Sequence, residues 1–290
     1  MITYYKYTFY TLYIENSVKN TLILSISLLA AFLLHGNAVA GTVVNLNYND
    51  FSSTSGVTLS GGATQVGNAL QLSTQGVGYD AGGVFFNKPV SVSSFNAEFT
   101  FQFSNTNGAD GMAFVIKNSG SSGTGTGGLG GIGGALGYGS INKSVGIEFD
   151  SSKNTAKGYN DIDANHIAID TNGSMISLAQ LTVSPIFNGT GVWHAWVDYD
   201  GSLLSISTSQ NGVKPGTAML SQKMDIQSIV GSPTALVGFT AATGSNTQTT
   251  QLLSFSESSP TPEPSTYVLM SVGAVIAGIA ARRKMLRVGG

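Results

Sequence analysis

No cysteine occurs in the 290 residues. A chain without disulfides draws its stability from an apolar core, and from bound metals if it has them. Charge is scarce as well. Only 10% of the residues are charged, and the formal net charge is −2. No basic surface is available to neutralise phosphates, which argues against a nucleic-acid partner. Helical periodicity is missing from the middle of the chain. Two apolar runs are present, Leu22 to Leu34 and Tyr267 to Ala281, and each falls short of the roughly 20 residues that span a bilayer. Glycine is plentiful, at 38 residues, and lies between short apolar or alternating stretches.

The two apolar runs read as targeting segments. Lys19 precedes the first, and Ala38-Val39-Ala40 supplies a small-x-small cleavage pattern. Residues 1–40 are therefore expected to be a secretory signal, cut before Gly41. The tyrosine-rich stretch Met1 to Ser17 is unusual for such a signal, so the translation start is expected near Val18. At the other end, Thr261-Pro262-Glu263-Pro264-Ser265-Thr266 leads into the second run, and Arg282, Arg283 and Lys284 follow it. A basic cluster after an apolar run stays on the cytoplasmic side, which puts the body across the membrane. The order Pro-Glu-Pro, apolar run, basic end resembles the PEP-CTERM sorting signal of Gram-negative bacteria that make exopolysaccharide. The resemblance implies transient membrane insertion through residues 267–290 and recognition by an exosortase-type protease. It also implies a cell-surface or extracellular destination. A plain C-terminal anchor is the competing reading.

Between Gly41 and Ser256 the chain reads as strands and turns. Ser94 to Phe103 alternates, with Phe95, Phe99, Phe101 and Phe103 on one face. Gly111 to Ile116 is apolar throughout. Val192 to Tyr199 alternates, Asp200-Gly201 marks a hairpin into Leu203 to Thr208, and Asn211-Gly212 marks another turn. Ala235 to Thr240 and Leu252 to Phe255 complete the set. Many short strands joined by turn residues predict an all-β antiparallel sandwich. Gly120 to Gly139 reads as a long surface loop within one domain, residues 41–256, and residues 257–266 as the linker to the tail. Trp193, Trp196 and the phenylalanines are expected in the core, and His194 on a strand surface.

One segment concentrates the sparse charge. Glu148 and Asp150 stand two apart on a strand and so share a face. Two carboxylates that close repel unless a cation lies between them. Asp161 and His166, from the returning strand, can close the same site. Three carboxylates and an imidazole suit a transition metal, with manganese favoured. Asp150 and Asp161 can bridge to a second, oxygen-only site completed by the Asn154 side chain and the Ser152 carbonyl, and that set suits calcium. The bland alternative is a solvated acidic loop with a hydrogen-bonded histidine.

Five blocks, in this order, resemble the legume-lectin (L-type lectin) family in its bacterial form. They are Asn107 to Ile116, Gly133 to Gly139, Val145 to Asp150, Asp163 to Asp170 and Val237 to Gly244. The resemblance implies a concanavalin-like jelly roll holding adjacent manganese and calcium ions. By position Glu148, Asp150, Asp161 and His166 match the manganese ligands, and Asp150, Ser152, Asn154 and Asp161 the calcium ligands. Asp163 rivals Asp161, but the spacing to His166 favours Asp161. Asp110 matches the aspartate that accepts hydrogen bonds from sugar hydroxyls, and the Ala109–Asp110 peptide is expected to be cis. Asn154 matches a residue that touches both calcium and sugar, and Gly134 a glycine whose amide meets the sugar. Gly244, Ser245 and Asn246 match the variable loop that sets specificity. The family usually carries Phe or Tyr where Ser152 stands, so this chain lacks the ring that stacks on the sugar. Tyr159 or Tyr138 is expected to replace it.

The implied function is non-enzymatic: a secreted or surface carbohydrate-binding protein whose partner is a glycan, with exopolysaccharide a candidate. Relatives of this fold often pair through sheet edges, so a homo-oligomer is a further expectation. Two alternatives stand. One is a structural matrix protein on a lectin fold with a decayed sugar site. The other is a jelly-roll glycoside hydrolase, superficially suggested by Glu148 and Asp150 on one strand. The later glutamate such an enzyme needs is missing, since residues 151–153 are Ser, Ser and Lys.

Overall fold

The computed structural model describes residues 46–104, 108–189 and 191–259. The expected signal segment, the sorting tail and Asn107 lie outside the described residues. Among those residues the chain forms sixteen strands and one short α-helix. In order they are β1 (Leu46–Tyr48), β2 (Val57–Gly61), β3 (Thr64–Val66), β4 (Ala69–Ser73), β5 (Ala81–Phe86), β6 (Val90–Ser91), β7 (Phe95–Ser104), β8 (Gly111–Lys117), β9 (Ser144–Asp150), β10 (His166–Thr171), β11 (Ala179–Thr182), β12 (Trp193–Tyr199), β13 (Leu203–Ser209), β14 (Leu220–Lys223), α1 (Ile226–Val230), β15 (Thr234–Ala242) and β16 (Thr249–Ser258).

The strands make two antiparallel sheets that face each other as a jelly-roll sandwich. The back sheet runs β14-β13-β12-β7-β16-β4-β3, with β1 paired to β16. The front sheet runs β11-β10-β9-β8-β15-β5-β2, with β6 paired to β15. The core between them is aromatic. Alternate residues of β7 point inward, and Phe99 meets Phe239 at 4.8 Å and Phe149 at 5.5 Å between ring centroids. Both contacts are edge-on, the geometry that ring quadrupoles prefer. Trp193 is buried, and His194 is half-buried and stacked on Trp196.

Strands β8 and β9 are buried at every position. Their inner residues, such as Phe114 and Ile147, join the main core. Their outer residues Ala113 and Val115 pack under Leu136, Tyr138, Ile141 and Met175. Residues 120–139 therefore do not form a plain surface loop: Leu136 and Tyr138 cap the front sheet as part of a second small core, Leu129 packs with Ala81 and Ala242, and Ile132 stays exposed. Tyr138 lies flat against β9, where a Cβ at Gly146 would stand 2.7 Å from its ring. Its hydroxyl accepts from Ser144 Oγ at 3.2 Å and from the Gly173 amide at 3.0 Å. A ring fixed in this way has no face to offer a sugar, so the expectation for Tyr138 is overturned.

Two further corrections are local. Helix α1 was not foreseen. Asp225 caps it by accepting from the Ser228 amide at 2.9 Å, and Gly231 ends it at φ 73°. Five residues are too few to show a period of about 3.6. Strand β16 runs to Ser258, so the expected domain boundary at residue 256 cuts a strand. Among the described residues no helix is long and apolar enough to cross a membrane.

Candidate functional site

The register of β9 and β10 builds the acidic cluster. His166 lies opposite Asp150, Ala168 opposite Glu148, and Asp170 opposite Gly146. Residues two apart share a face. Glu148, Asp150, His166 and Asp170 therefore point to one side, while Phe149, Ile167 and Ile169 point into the main core.

Glu148, Asp150 and His166 are buried and offer ligand atoms within 4.8 Å of one another. His166 Nδ1 lies 3.0 Å from the Asp163 carbonyl oxygen. A carbonyl only accepts, so Nδ1 carries the proton and Nε2 presents a lone pair. That lone pair faces Glu148 Oε2 at 3.8 Å. Neither atom has a hydrogen-bond partner, and both are buried. Two acceptors facing each other away from water repel unless something positive lies between them. The proton affinities agree. Burial pushes the Glu148 carboxyl up to about 7, and the Asp161 charge adds to the effect. Burial, then the Glu148 charge, pushes Asp150 well above the carboxylate range. Burial lowers His166, which favours the neutral, ligating form.

Asp161 is not one of these three and joins a neighbouring group of oxygens. Its Oδ2 accepts from the Asn154 amide at 2.6 Å, and Asp150 Oδ1 accepts from the Ser152 amide at 2.6 Å. Burial raises the Asp161 carboxyl as well. Asp163 sits on the other side of His166, with its Oδ1 3.9 Å from Nδ1. The Asn154 carboxamide has two ways round. With its nitrogen toward the Ser152 carbonyl and Asp161 Oδ2, it donates to them at 3.3 and 3.2 Å. With its oxygen there, three oxygens converge. The second arrangement is favourable only with a cation among the oxygens.

Asp110 stands beside this group. The Ala109–Asp110 peptide is cis. The Asp110 backbone is held on both sides: its amide donates to the Ala242 carbonyl at 3.1 Å, and its carbonyl accepts from the Ser151 amide at 2.8 Å. Burial pushes its carboxyl up to about 6, against the pull of the Gly244 amide and the Asn154 side chain. Oδ2 is left without a hydrogen bond. Gly134 is buried against Asn154, and a Cβ there would collide with the carboxamide. A Cβ at Gly244 would stand 3.4 Å from Asp110 Oδ2. Asp110, Gly134, Asn154 and Gly244 thus converge on one place, and Ser245 and Asn246 continue the Gly244 loop as exposed residues. Tyr159 is half-buried and packs on the second small core. Its hydroxyl is raised by burial, then by the Asp110 charge.

Sequence reasoning missed two residues. Asp170 is fully buried, and burial pushes it up to about 10, with the Glu148 charge adding to the effect. The signal was present, because Asp170 continues the two-residue alternation from His166. Tyr79 is 69% exposed, at φ 56°, and its amide donates to the Gly244 carbonyl at 3.0 Å. It presents a free aromatic ring beside the variable loop. Nothing local in the sequence places it there, since the two loops are far apart in the chain.

Comparison with known proteins gives a consistent result. A sequence model of the legume lectin domain matches residues 43–268, and the PEP-CTERM protein-sorting motif matches residues 260–284. L-type lectin-domain containing receptor kinase VII.1 of Arabidopsis thaliana is 28% identical over 79% of this chain and 36% of its own length. The receptor kinase SIT2 of Oryza sativa is 28% identical over 71% of this chain and 34% of its own. The chain thus spans about a third of these curated relatives. Among solved structures, a Bauhinia forficata lectin in complex with GalNAc superposes with a TM-score of 0.64 at 26% identity, covering 76% of this chain and 99% of the lectin. The metal-free form of lectin I-B4 from Griffonia simplicifolia gives 0.62 at 26% identity, over 74% and 98%.

Proposed function

The chain belongs to the legume lectin family, and on that footing we propose that it is an exported carbohydrate-binding protein whose sugar site is ordered by metal ions. Glu148, Asp150, Asp161 and His166 would hold manganese or another transition metal. Asp150, the Ser152 carbonyl, Asn154 and Asp161 would hold calcium. The donor sets fit, because carboxylates with one imidazole suit the first ion and oxygens alone suit the second. The unpartnered Glu148 Oε2 and His166 Nε2 are atoms that such an ion satisfies. When bound, the ions supply fixed positive charge among the buried acids.

Asn154 then couples metal to sugar. Its carbonyl oxygen turns to the calcium group, and its NH2 stays beside Asp110. A sugar hydroxyl in this place donates to the Asp110 carboxylate and accepts from Asn154 and from the Gly134 amide. Charge-assisted bonds of this kind are the strong ones. Ser245, Asn246 and Tyr159 surround the bound ring and select among sugars. One observation carries the reading: the buried Asp110 carboxylate has a free oxygen aimed among Gly133, Gly244 and Asn154.

The sorting motif supports export and processing by an exosortase-type protease, with release or attachment at the surface of a Gram-negative cell. The glycan partner is then the cell's own exopolysaccharide or a foreign glycan. The test is a broad glycan array probed with protein carrying calcium and manganese, then after chelation. Binding that disappears on chelation and returns with metal is the expected result. Ser152 favours a second reading, a structural matrix protein, because serine offers no ring. Metal uptake by a folded protein that binds no glycan would select it. The hydrolase reading draws no support, since Glu148 and Asp150 are 2% and 1% exposed and face His166.

A further inference from the structure

The last strand of the body runs almost directly into the sorting motif. β16 ends at Ser258, and Ser259 is still buried. The motif matches from residue 260, so only Ser259 lies between strand and motif. Its Pro262-Glu263-Pro264 segment follows within a few residues. Three residue steps carry the chain from Ser259 to Pro262, at most about 11 Å. Two packed sheets already stand about 10 Å apart. A protease that grips Pro262, Glu263 and Pro264 as extended backbone therefore meets the end of the sandwich itself.

That end is weakly fastened. β1 is three residues long and pairs with β16 alone among the described strands, Leu46 opposite Glu257 and Tyr48 opposite Phe255. On the other side β7 sets Ala97 opposite Glu257 and Asn96 opposite Ser258. Phe255 and Glu257 stand two apart and share the inward face. Phe255 is anchored there, stacked on Phe86 at 4.4 Å between ring centroids. Glu257 has no such anchor. One of its oxygens accepts from Ser259 Oγ at 2.6 Å, and the other is buried without a hydrogen-bond partner. Burial pushes the carboxyl up to about 7. An unpartnered polar oxygen away from water favours opening. Residues 257–259 are thus the labile end of a strand that Leu252 and Phe255 otherwise fix in the core.

We propose that the sorting protease obtains its substrate only after the end of β16 leaves the back sheet, with Glu257 and Ser259 as the catch. Freeing residues 257–259 leaves Ser256 as the last fixed position. Six steps then separate it from Pro262, about 20 Å of extended chain. The intact sandwich delays its own processing, and the unprocessed form persists until the strand end opens. The proposal rests on the sorting reading above.

The test expresses the full chain in Gram-negative cells that carry an exosortase-type protease. Loss of the tail is followed by pulse–chase and immunoblot. A spacer of about ten Gly and Ser residues between Ser259 and Pro260 gives the protease free chain, and should speed cleavage severalfold. Glu257→Leu removes the unpartnered oxygen and should slow cleavage by about fivefold. In the spacer chain the same substitution should change nothing. A spacer that leaves cleavage at the parental rate overturns the catch, whether or not the leucine variant folds. So does an effect of Glu257→Leu that is the same, or nil, with and without the spacer. Absence of cleavage in every chain, spacer included, overturns the sorting reading as well.

Discussion

Stripping the metals should make the fold sensitive to rising pH, and Glu148 sets the scale. Its carboxyl moves from 4.5 to about 7 in the metal-free protein. Between those values the folded chain keeps a proton that the unfolded chain has released. Stability is therefore whole below the lower value, falls as pH rises, and levels off above the upper one. About 2.5 pH units at about 1.4 kcal/mol each comes to roughly 3 kcal/mol. Asp150, raised in the same sense, steepens the fall. For a domain of this size the loss corresponds to about 6–12 °C in Tm. Glu257 on β16, pushed up to about 7 by burial, tilts metal-free and loaded protein alike, so the readout is the difference between them. Urea unfolding and calorimetry at pH 5 and pH 7.5, on metal-free and loaded protein, give that difference. It should widen with pH by most of the 3 kcal/mol, because bound cations replace the proton. A difference that is constant or shrinks toward neutral pH would refute the placement of cations among these acids.

Substitutions at three positions probe the rest of the site. Asp110→Asn keeps the shape and removes the charge. It should weaken sugar binding by about 10- to 100-fold with manganese and calcium content unchanged by elemental analysis, and loss of metal would show that Asp110 serves the wrong role here. Gly134→Ala drives a Cβ into the Asn154 carboxamide. It should weaken both calcium and sugar in calorimetric titration, and an unaltered calcium affinity would disconnect Gly134 from Asn154. Tyr79→Ala should weaken sugar binding by about tenfold, the scale of an aromatic contact, while Tyr79→Phe should not. Parental affinity in the alanine variant would remove Tyr79 from the site.

How much of this was legible depends on which forces are local. The β7 face was readable because one side meets the core and the other meets solvent, which prints an alternation on the sequence. β8 was readable as apolar, but not why. Its outer face is covered by Leu136 and Tyr138, and a run of glycines gives no sign that the few apolar residues among them fold inward. Tyr138 and Tyr159 look alike in sequence, and only packing separates the buried ring from the half-exposed one. The pairing of Glu148 with Asp150 follows from strand geometry alone. The position of Asp170 needs the β9–β10 register, and the position of Tyr79 needs the fold.

The scarcity of charge is itself part of the design. With so few ionised side chains, the three buried carboxylates on β9 and β10 have no lysine or arginine paired to them among the described residues, Lys153 acting on Asp161 alone, and the imidazole among them is held neutral. The cluster is then left with protons or metal ions as its counter-charge. With protons as the counter-charge, Asn154 would donate to the Ser152 carbonyl and Asp161, whereas cations would draw in its carboxamide oxygen and leave its NH2 for the sugar. On the proposed metal-bound reading, the choice between proton and metal would set the Asn154 orientation. Sugar affinity would then report metal occupancy, so sugar binding by the metal-free protein should stay weak at pH 5 as well as at pH 7.5. Metal-free protein that bound sugar as tightly as the loaded form would break this link at Asn154.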